Sequence, residues 1–319
     1  MPTRRTALVA LAALAPHASL AQDTTRPIRL VVPYPPGGAT DAMGRFTARG
    51  LERHLPANLV VDNRAGAAGS IGSEHVRQAT PDGQVLLFNA SIFVLARMVL
   101  RAAPYDPVRD FQPVARVGEA PLLVLAHPSV PGNTLEEVAA AARRNPGAFN
   151  FALSSQGSAG HLASLEFNRL ARANITTVAY RGAGPAIADL LGGSVQLMVD
   201  AGLGQMDQVR AGRLKALAVT SEARLPGAPL VPTAAESGMP ELSIRSWYGV
   251  WAPRGLPPNV LRRLATALET VVADAEFRAS AASIGALPLF EGPEAFARFI
   301  EGDVARARTL LEGSGFQPE

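Results

Sequence analysis

The residues able to do chemistry in this chain are gathered in short stretches rich in glycine, hydroxyl and amide groups. Three come early: Pro35-Pro36-Gly37-Gly38-Ala39-Thr40-Asp41, Asn63-Arg64-Ala65-Gly66-Ala67-Ala68-Gly69 and Asn89-Ala90-Ser91. Three come later: Ser154-Ser155-Gln156-Gly157-Ser158-Ala159-Gly160-His161, Tyr180-Arg181-Gly182-Ala183-Gly184 and Asp200-Ala201-Gly202. Such stretches expose backbone N–H and hydroxyl donors with little side-chain bulk, which suits an anion held by neutral donors at helix N-termini. Asp41 and Asp200 would repel such a ligand, so each reads as a cap or loop brace, and direct contact fits better if the ligand also carries an amine. Any one stretch is an ordinary strand-to-helix turn, where glycine lets the chain reverse. Their shared donor-rich character points to a binding cleft.

Enzyme chemistry finds little support. Gln156-Gly157-Ser158-Ala159-Gly160 departs from the nucleophile-elbow pattern at Gln156, although His161 stands close to Ser158. Gly66-Ala67-Ala68-Gly69-Ser70-Ile71-Gly72 spaces its glycines by three and does not match G-x-G-x-x-G, so no dinucleotide fingerprint is present. The histidines beyond the leader, His54, His75, His127 and His161, form no H-x-x-x-H pair, and no metal site is expected. Lys215 is the only lysine, leaving Schiff-base chemistry almost nothing to work with. No cofactor and no catalytic residue is expected.

These stretches must be positioned by a fold, and the order of apolar runs indicates which. Ile28 to Val32, Leu59 to Asp62 and Val85 to Phe88 read as strands, with helices predicted through Met43 to Arg53 and from Ala68 to Ala79. A second series begins near Leu122 to Ala126. Thr134-Leu135-Glu136-Glu137 has capping-box form and opens a helix to about Asn145. Strands follow at Phe149 to Ala152, Thr177 to Ala179, Gln196 to Val199 and Leu214 to Thr220, with helices between them. Tyr248 to Ala252 is a further strand, the helix Asn259 to Ala273 follows, and later helices run through Glu312. Alternating strands and helices mean α/β architecture with parallel sheets, in which ligands bind beyond the carboxyl ends of the strands. The donor-rich stretches fall at those ends.

The expected organisation is two α/β lobes. Residues 25–124 plus 247–299 form lobe 1, residues 125–246 form lobe 2, and 300–319 form a C-terminal helix packing across a lobe. Crossing segments near Ala120 to His127 and Ser243 to Trp251 make a two-segment hinge.

Met1 to Ala21 reads as an export leader, with Arg4 and Arg5, an apolar stretch from Ala7 to Ala15, and small residues in Ser19-Leu20-Ala21 for cleavage. The paired arginines leave the export route open between the general and twin-arginine pathways. Cleavage after Ala21 would place the chain in the periplasm. With no cysteine, the chain offers no disulfide, thiolate or lipid-anchor site. The 30 basic residues fall to 28 without Arg4 and Arg5, against 27 acids. That near-neutral balance argues against nucleic acid or an anionic membrane as partner, and a monomer is expected.

Several motifs, in order, then become recognisable together. They are Pro33-Tyr34-Pro35-Pro36-Gly37-Gly38-Ala39-Thr40-Asp41, Asp62-Asn63-Arg64 with the Gly66 to Gly72 run, Pro104-Tyr105-Asp106 with Asp110-Phe111, Gly157-Ser158-Ala159-Gly160-His161-Leu162-Ala163, Tyr180-Arg181-Gly182, and Gly212-Arg213-Leu214-Lys215-Ala216-Leu217-Ala218-Val219. The sequence resembles the Bug/TctC family of extracytoplasmic solute receptors of tripartite tricarboxylate transporters. The resemblance implies a type II, Venus-flytrap periplasmic-binding-protein fold that closes on a di- or tricarboxylate, an amino acid or an aromatic acid and serves the membrane subunits of such a transporter.

Carried onto this sequence, the resemblance sets Tyr34, Gly37, Gly38, Thr40 and Asp41 of the first lobe opposite Ser155, Gly157, Ser158 and His161 of the second. Ser91, Tyr180 and Asp200 complete the candidate set. Arg181 stands where lysine is frequent, and Ala201-Gly202 where bulkier residues often follow the aspartate, which would enlarge the pocket. Two other readings stay open: a periplasmic hydrolase using Ser158 and His161, and a ligand sensor for a membrane kinase.

Overall fold

The computed structural model describes residues 26–318 except Arg181 and Gly202. The leader expected over 1–21 and its cleavage site lie outside the described residues.

The chain opens with a β-α-β-α-β unit: β1 (Ile28–Val32), α1 (Ala39–His54), β2 (Leu59–Asn63), α2 (Ser70–Arg77) and β3 (Val85–Ala90). β1 lies parallel to both β2 and β3. A 3-10 turn (Ser91–Leu95) and α3 (Ala96–Val99) lead into β4 (Phe111–Ala126). A second unit follows, with α4 (Leu135–Arg144), β5 (Asn150–Leu153), α5 (Ala159–Ala171), β6 (Thr176–Ala179), α6 (Ala183–Gly192) and β7 (Leu197–Ala201). The remaining elements are α7 (Met206–Arg210), β8 (Lys215–Val219), β9 (Arg245–Pro253), α8 (Pro258–Ala273), α9 (Ala275–Ser283), β10 (Leu287–Glu291) and α10 (Pro293–Gly313).

The strand order is β2-β1-β3-β9-β4-β7-β5-β6, with β8 and β10 also on β4. Each half contains three parallel strands followed by an antiparallel one: β9 beside β3, and β4 beside β7. β4 belongs to both halves. From Phe111 to Pro121 it pairs with β9, and from Leu122 to Ala126 with β7 and β8. Arg245, the first residue of β9, pairs with Pro121 at the changeover. The architecture is therefore two α/β halves joined through β4 and β9, as the alternation of strands and helices led us to expect.

Several elements differ from the sequence expectation. β4 begins at Phe111, about eleven residues before the apolar run beginning at Leu122 that marked it, because Pro113, Gly118 and Pro121 read as breakers. The register shifts between Pro113 and Ala115 and between Arg116 and Gly118 absorb two of them. β10 lay in a region assigned to helices. Its residues are all half-buried, so no alternation marks it, and it pairs with β4 through an irregular register. The helix expected from Ala68 begins at Ser70, because Ala67, Ala68 and Gly69 all hold positive φ. The C-terminal helix expected over 300–319 starts earlier, at Pro293, whose fixed φ suits a first helical position, and ends at Gly313.

Packing ties the halves together. One continuous buried cluster contains Val31, Leu87 and Phe93 from the first half and Leu135, Phe151 and Val199 from the second. Trp247 and Trp251 of β9 are fully buried in it against Phe296 of α10. The Trp247 Nε1–H donates to Asp303 at 3.0 Å. Arg116 of β4 lies 3.7 Å from the Phe299 ring centroid and pairs with Glu291, fastening α10 and β10 to the strand shared by both halves.

Candidate functional site

The first loop follows β1, where the chain must leave a buried strand and start α1 within a few residues. Gly37, at φ +94, makes the turn in a region closed to most side chains. Gly38 is extended at φ −80 and ψ 167, so within this glycine pair the left-handed angle belongs to Gly37. No side chain caps α1 at Gly38. Its first-turn N–H groups, which no helix can satisfy internally, therefore remain donors toward the space beyond β1. Thr40 lies half-buried in that turn.

Asp41 is buried and braces the loop from inside. Its Oδ2 accepts from the Gly37 N–H at 2.9 Å and from Arg45 Nε at 3.0 Å, and its Oδ1 from Asn63 at 2.8 Å. Burial acts to raise its pKa, but Arg45, the Gly37 N–H and Asn63 together hold it below the ordinary carboxylate value. Tyr34 donates its hydroxyl to Asn89 at 3.0 Å, and burial pushes its phenol pKa up. Ser91 is buried at the start of the 3-10 turn, 3.4 Å from the Ser246 hydroxyl.

The second loop leaves β5 and starts α5. Ser158 caps that helix, its Oγ accepting from the His161 N–H at 3.1 Å. Gly160 lies where a Cβ would come within about 2 Å of the Val199 carbonyl oxygen, so only glycine lets α5 sit this close to β7. The His161 ring is 2% exposed, and its Nδ1 accepts the Gly157 N–H at 3.0 Å. Burial lowers its pKa to about 4, so the imidazole is neutral with its proton on Nε2. Ser155 donates to the Gln156 carbonyl at 3.2 Å.

Asp200 lies one residue before the end of β7, bonded to the Ala201 N–H and the Ser154 hydroxyl, and burial pushes its carboxyl up to about 6. The charge of Asp200 also helps raise the pKa of buried Tyr248 on β9, so the two stand near each other across the halves. Tyr180 donates to Asp189 at 2.6 Å, which raises its phenol to about 12. Arg181 and Gly202 lie outside the described residues.

The two loops thus belong to different halves, each at the carboxyl end of a parallel strand and each braced from behind by its own hydrogen bonds. Their approach is visible where a Cβ on Gly157 would come within 2.6 Å of Val99 on α3. A small cavity also brings Ser91 and Leu95 together with Ala159 and Leu162. A larger cavity, of about 990 Å³, lies elsewhere, between α5, the start of β6 and α10. His161 is on its wall, but no residue of the first loop is, and Glu166 and Arg169 there are already paired at 2.8 Å. The loop chemistry, and not that cavity, marks the candidate site.

Among the residues that complete the loops, Arg45, Asn63, Asn89, Ser154 and Tyr248 were not among the candidates, although Asn63, Asn89 and Ser154 stand in the donor-rich stretches. Bonds to Asp41, Tyr34 and Asp200 distinguish the first four, and the charge of Asp200 acting on its buried phenol distinguishes Tyr248.

The model for the tripartite tricarboxylate transporter family receptor matches residues 43–316. This chain belongs to that family. The periplasmic binding protein BugD is 33% identical, with a TM-score of 0.78 over 92% of this chain and 99% of that one. Rpa4515 of R. palustris, solved with adipate, is 32% identical, with a TM-score of 0.82 over the same shares. MatC (Rpa3494) from Rhodopseudomonas palustris, solved with bound malate, is 30% identical, with a TM-score of 0.77 over 90% of this chain and 99% of that one.

Members of this family are solute-binding receptors and not enzymes, and the geometry agrees. Ser158 Oγ and His161 Nδ1 both accept backbone N–H groups, so they do not form the nucleophile–base pair that the hydrolase reading required.

Proposed function

We propose that this receptor works in the periplasm, closing its halves on a small carboxylate and presenting it to the membrane subunits of a tripartite tricarboxylate transporter. The leader-like sequence of Met1 to Ala21 and the periplasmic relative support the compartment. The observation that carries the ligand class is the pair of loops opening α1 and α5, whose donors are backbone N–H and hydroxyl groups. The one described guanidinium in the loop bonding, that of Arg45, is bound to Asp41 and Asn63. Neutral donors at two helix N-termini suit a carboxylate, and the relatives holding adipate and malate point the same way, to a dicarboxylate.

In this reading the candidate residues divide by what their side chains already do. Asp41, Ser158, His161 and Asp200 shape the loops, while Tyr34, Ser91 and Tyr180 line them. The open donors are the first-turn N–H groups at Gly38 and the Thr40 hydroxyl, while Gly37, Gly157 and Ser155, whose own donors go to Asp41, His161 and the Gln156 carbonyl, shape the surface the ligand approaches. The lobes divide where β4 changes partners, at Pro121 and Leu122, and at the return into β9. A ligand touching both loops favours the closed form, because only that form makes both sets of contacts.

A thermal-shift panel of succinate, malate, adipate and citrate, with the diamide of succinate as neutral control, tests the ligand class. A ligand at about 100 times its Kd adds roughly 2.7 kcal/mol of stability, and the diamide should add none. Gly38→Val tests the site. A Cβ there meets nothing within 4 Å, and its φ suits any residue, so the variant should fold. Its side chain would stand in the ligand's approach, and we expect at least a tenfold loss of affinity, about 1.4 kcal/mol. Wild-type affinity in the folded variant would place the ligand elsewhere, and a panel without a binder would remove the carboxylate reading.

A further inference from the structure

The end of the chain is built into the foundation of the second ligand loop. α10 closes with the Gly315 N–H on the Glu312 carbonyl and the Phe316 N–H on the Leu311 carbonyl, at 3.1 and 3.2 Å, with Gly315 at φ +72. That is a Schellman closure, which fixes the direction in which the chain leaves a helix. It sends Phe316 onto the His161 ring, edge to face, with centroids 5.2 Å apart. Two residues later the Pro318 carbonyl accepts from Arg101 Nε at 2.9 Å, on the segment that follows α3 in the other half. The tail is therefore held at both ends, on α5 and on the first half.

His161 needs that cover. Its Nδ1 is the acceptor for the Gly157 N–H, so the loop bond exists only while that nitrogen is unprotonated. Phe316 shares with His161 the wall of the 990 Å³ cavity between α5 and α10, so removing the phenyl ring opens the imidazole to that space. We propose that Phe316 is a positioning residue for the ligand loop: by covering His161, it keeps Nδ1 an acceptor and so holds Gly157 in its place at the cleft. This rests on the loop being the ligand site. The depressed pKa of His161, whose cause is burial, fits the same picture.

The charged groups around this ring are few. Glu166 and Arg169 of α5 are paired with each other, and Arg306 of α10 lines the same cavity. Asp200 of β7 is bonded to Ser154 and Ala201 on the loop side, and Arg101 reaches the tail at Pro318. None of them contributes to the His161 shift, so solvent access governs its charge.

The test compares the intact wild-type protein with Phe316→Ala and Phe316→Leu, using two readouts that need no ligand: the NMR titration of His161 and the protection of the Gly157 amide against exchange. In wild type, His161 should stay neutral down to about pH 5 with Gly157 protected throughout. In Phe316→Ala the His161 midpoint should rise by at least about one unit toward its ordinary value. Protection of Gly157, relative to its intrinsic exchange rate, should fall at least tenfold between pH 7.5 and pH 5.5. Phe316→Leu should restore both, which a merely destabilised variant would not show. An unchanged His161 midpoint, or unchanged Gly157 protection, in folded Phe316→Ala overturns the proposal. Affinity for adipate, malate and succinate at the two pH values tests the link to binding, and a variant with wild-type pH dependence of affinity would also overturn it. If none of the three bound to wild type, the ligand reading would fail on its own, while the His161 and Gly157 readouts would still decide whether Phe316 positions the loop.

Discussion

Two aspartates, one in the first turn of α1 and one near the end of β7, behave oppositely, and their partners explain why. Asp41 has a guanidinium, an amide and a backbone donor on its two oxygens, and its pKa falls below the ordinary value. Asp200 has a hydroxyl and one backbone N–H, and burial raises it to about 6. The linkage signs differ accordingly. Asp41 contributes stability that is present above its unfolded pKa of 3.8 and is lost as the pH falls. Asp200 contributes stability fully present below 3.8 and lost as the pH rises through about 6, where its buried carboxylate must ionise. Asp200→Asn should therefore stabilise the ligand-free protein above pH 6, by on the order of 1–3 kcal/mol. It should also flatten the dependence of the urea midpoint between pH 4 and pH 7. A variant less stable than wild type at pH 7.5 would show that the charged form is the favoured one. The bracing role of both acids was legible from electrostatics alone, since neither suits direct contact with an anion. Their different pKa values were not, because Arg45 and Asn63 reach Asp41 only through the α1 helix and the β1–β2 pairing.

At the scale of elements, helix starts separate stability from binding. α4 has the complete capping box, with Thr134 accepting from the Glu137 N–H and Glu137 reaching back to the Thr134 N–H. α5 is capped by Ser158 at the candidate site. Thr134→Ala and Ser158→Ala should each cost about 1 kcal/mol in urea unfolding. Only Ser158→Ala should also weaken carboxylate binding in titration calorimetry, because its cap holds the loop from which the ligand is approached. Equal effects on binding from both variants would mean that affinity follows global stability. The capping box was readable because it is written in four consecutive residues. β10 and the first half of β4 were not, since their pairing runs between Leu287–Glu291 and Arg116–Glu119, far apart in sequence, with breakers absorbed by register shifts.

For the whole molecule, the shared strand and shared core set the cooperativity. β4 is hydrogen-bonded into both halves, and the buried cluster continues from Phe93 to Phe151. α10 contacts β4, α5 and the Ser91–Leu95 turn together. We expect a single calorimetric transition whose van't Hoff and calorimetric enthalpies agree, moved as a whole by a bound carboxylate. Two transitions, only one of them shifted by ligand, would mean that the halves unfold separately.

The sequence by itself determined the alternation of strands and helices, the segments near Ala120 and Ser243 that cross between the halves, and the donor-rich loops at strand ends. Each of these is encoded in local period, turn chemistry or a short motif, which neighbouring residues suffice to specify. The tertiary structure decided which donors remain open, that Gly37 and not Gly38 takes the left-handed angle, that Asp41 is held by Arg45 and Asn63, and that Phe316 covers His161. Those are contacts between residues distant in the chain. Their energies depend on burial and on which groups meet, and both quantities exist only once the chain has packed.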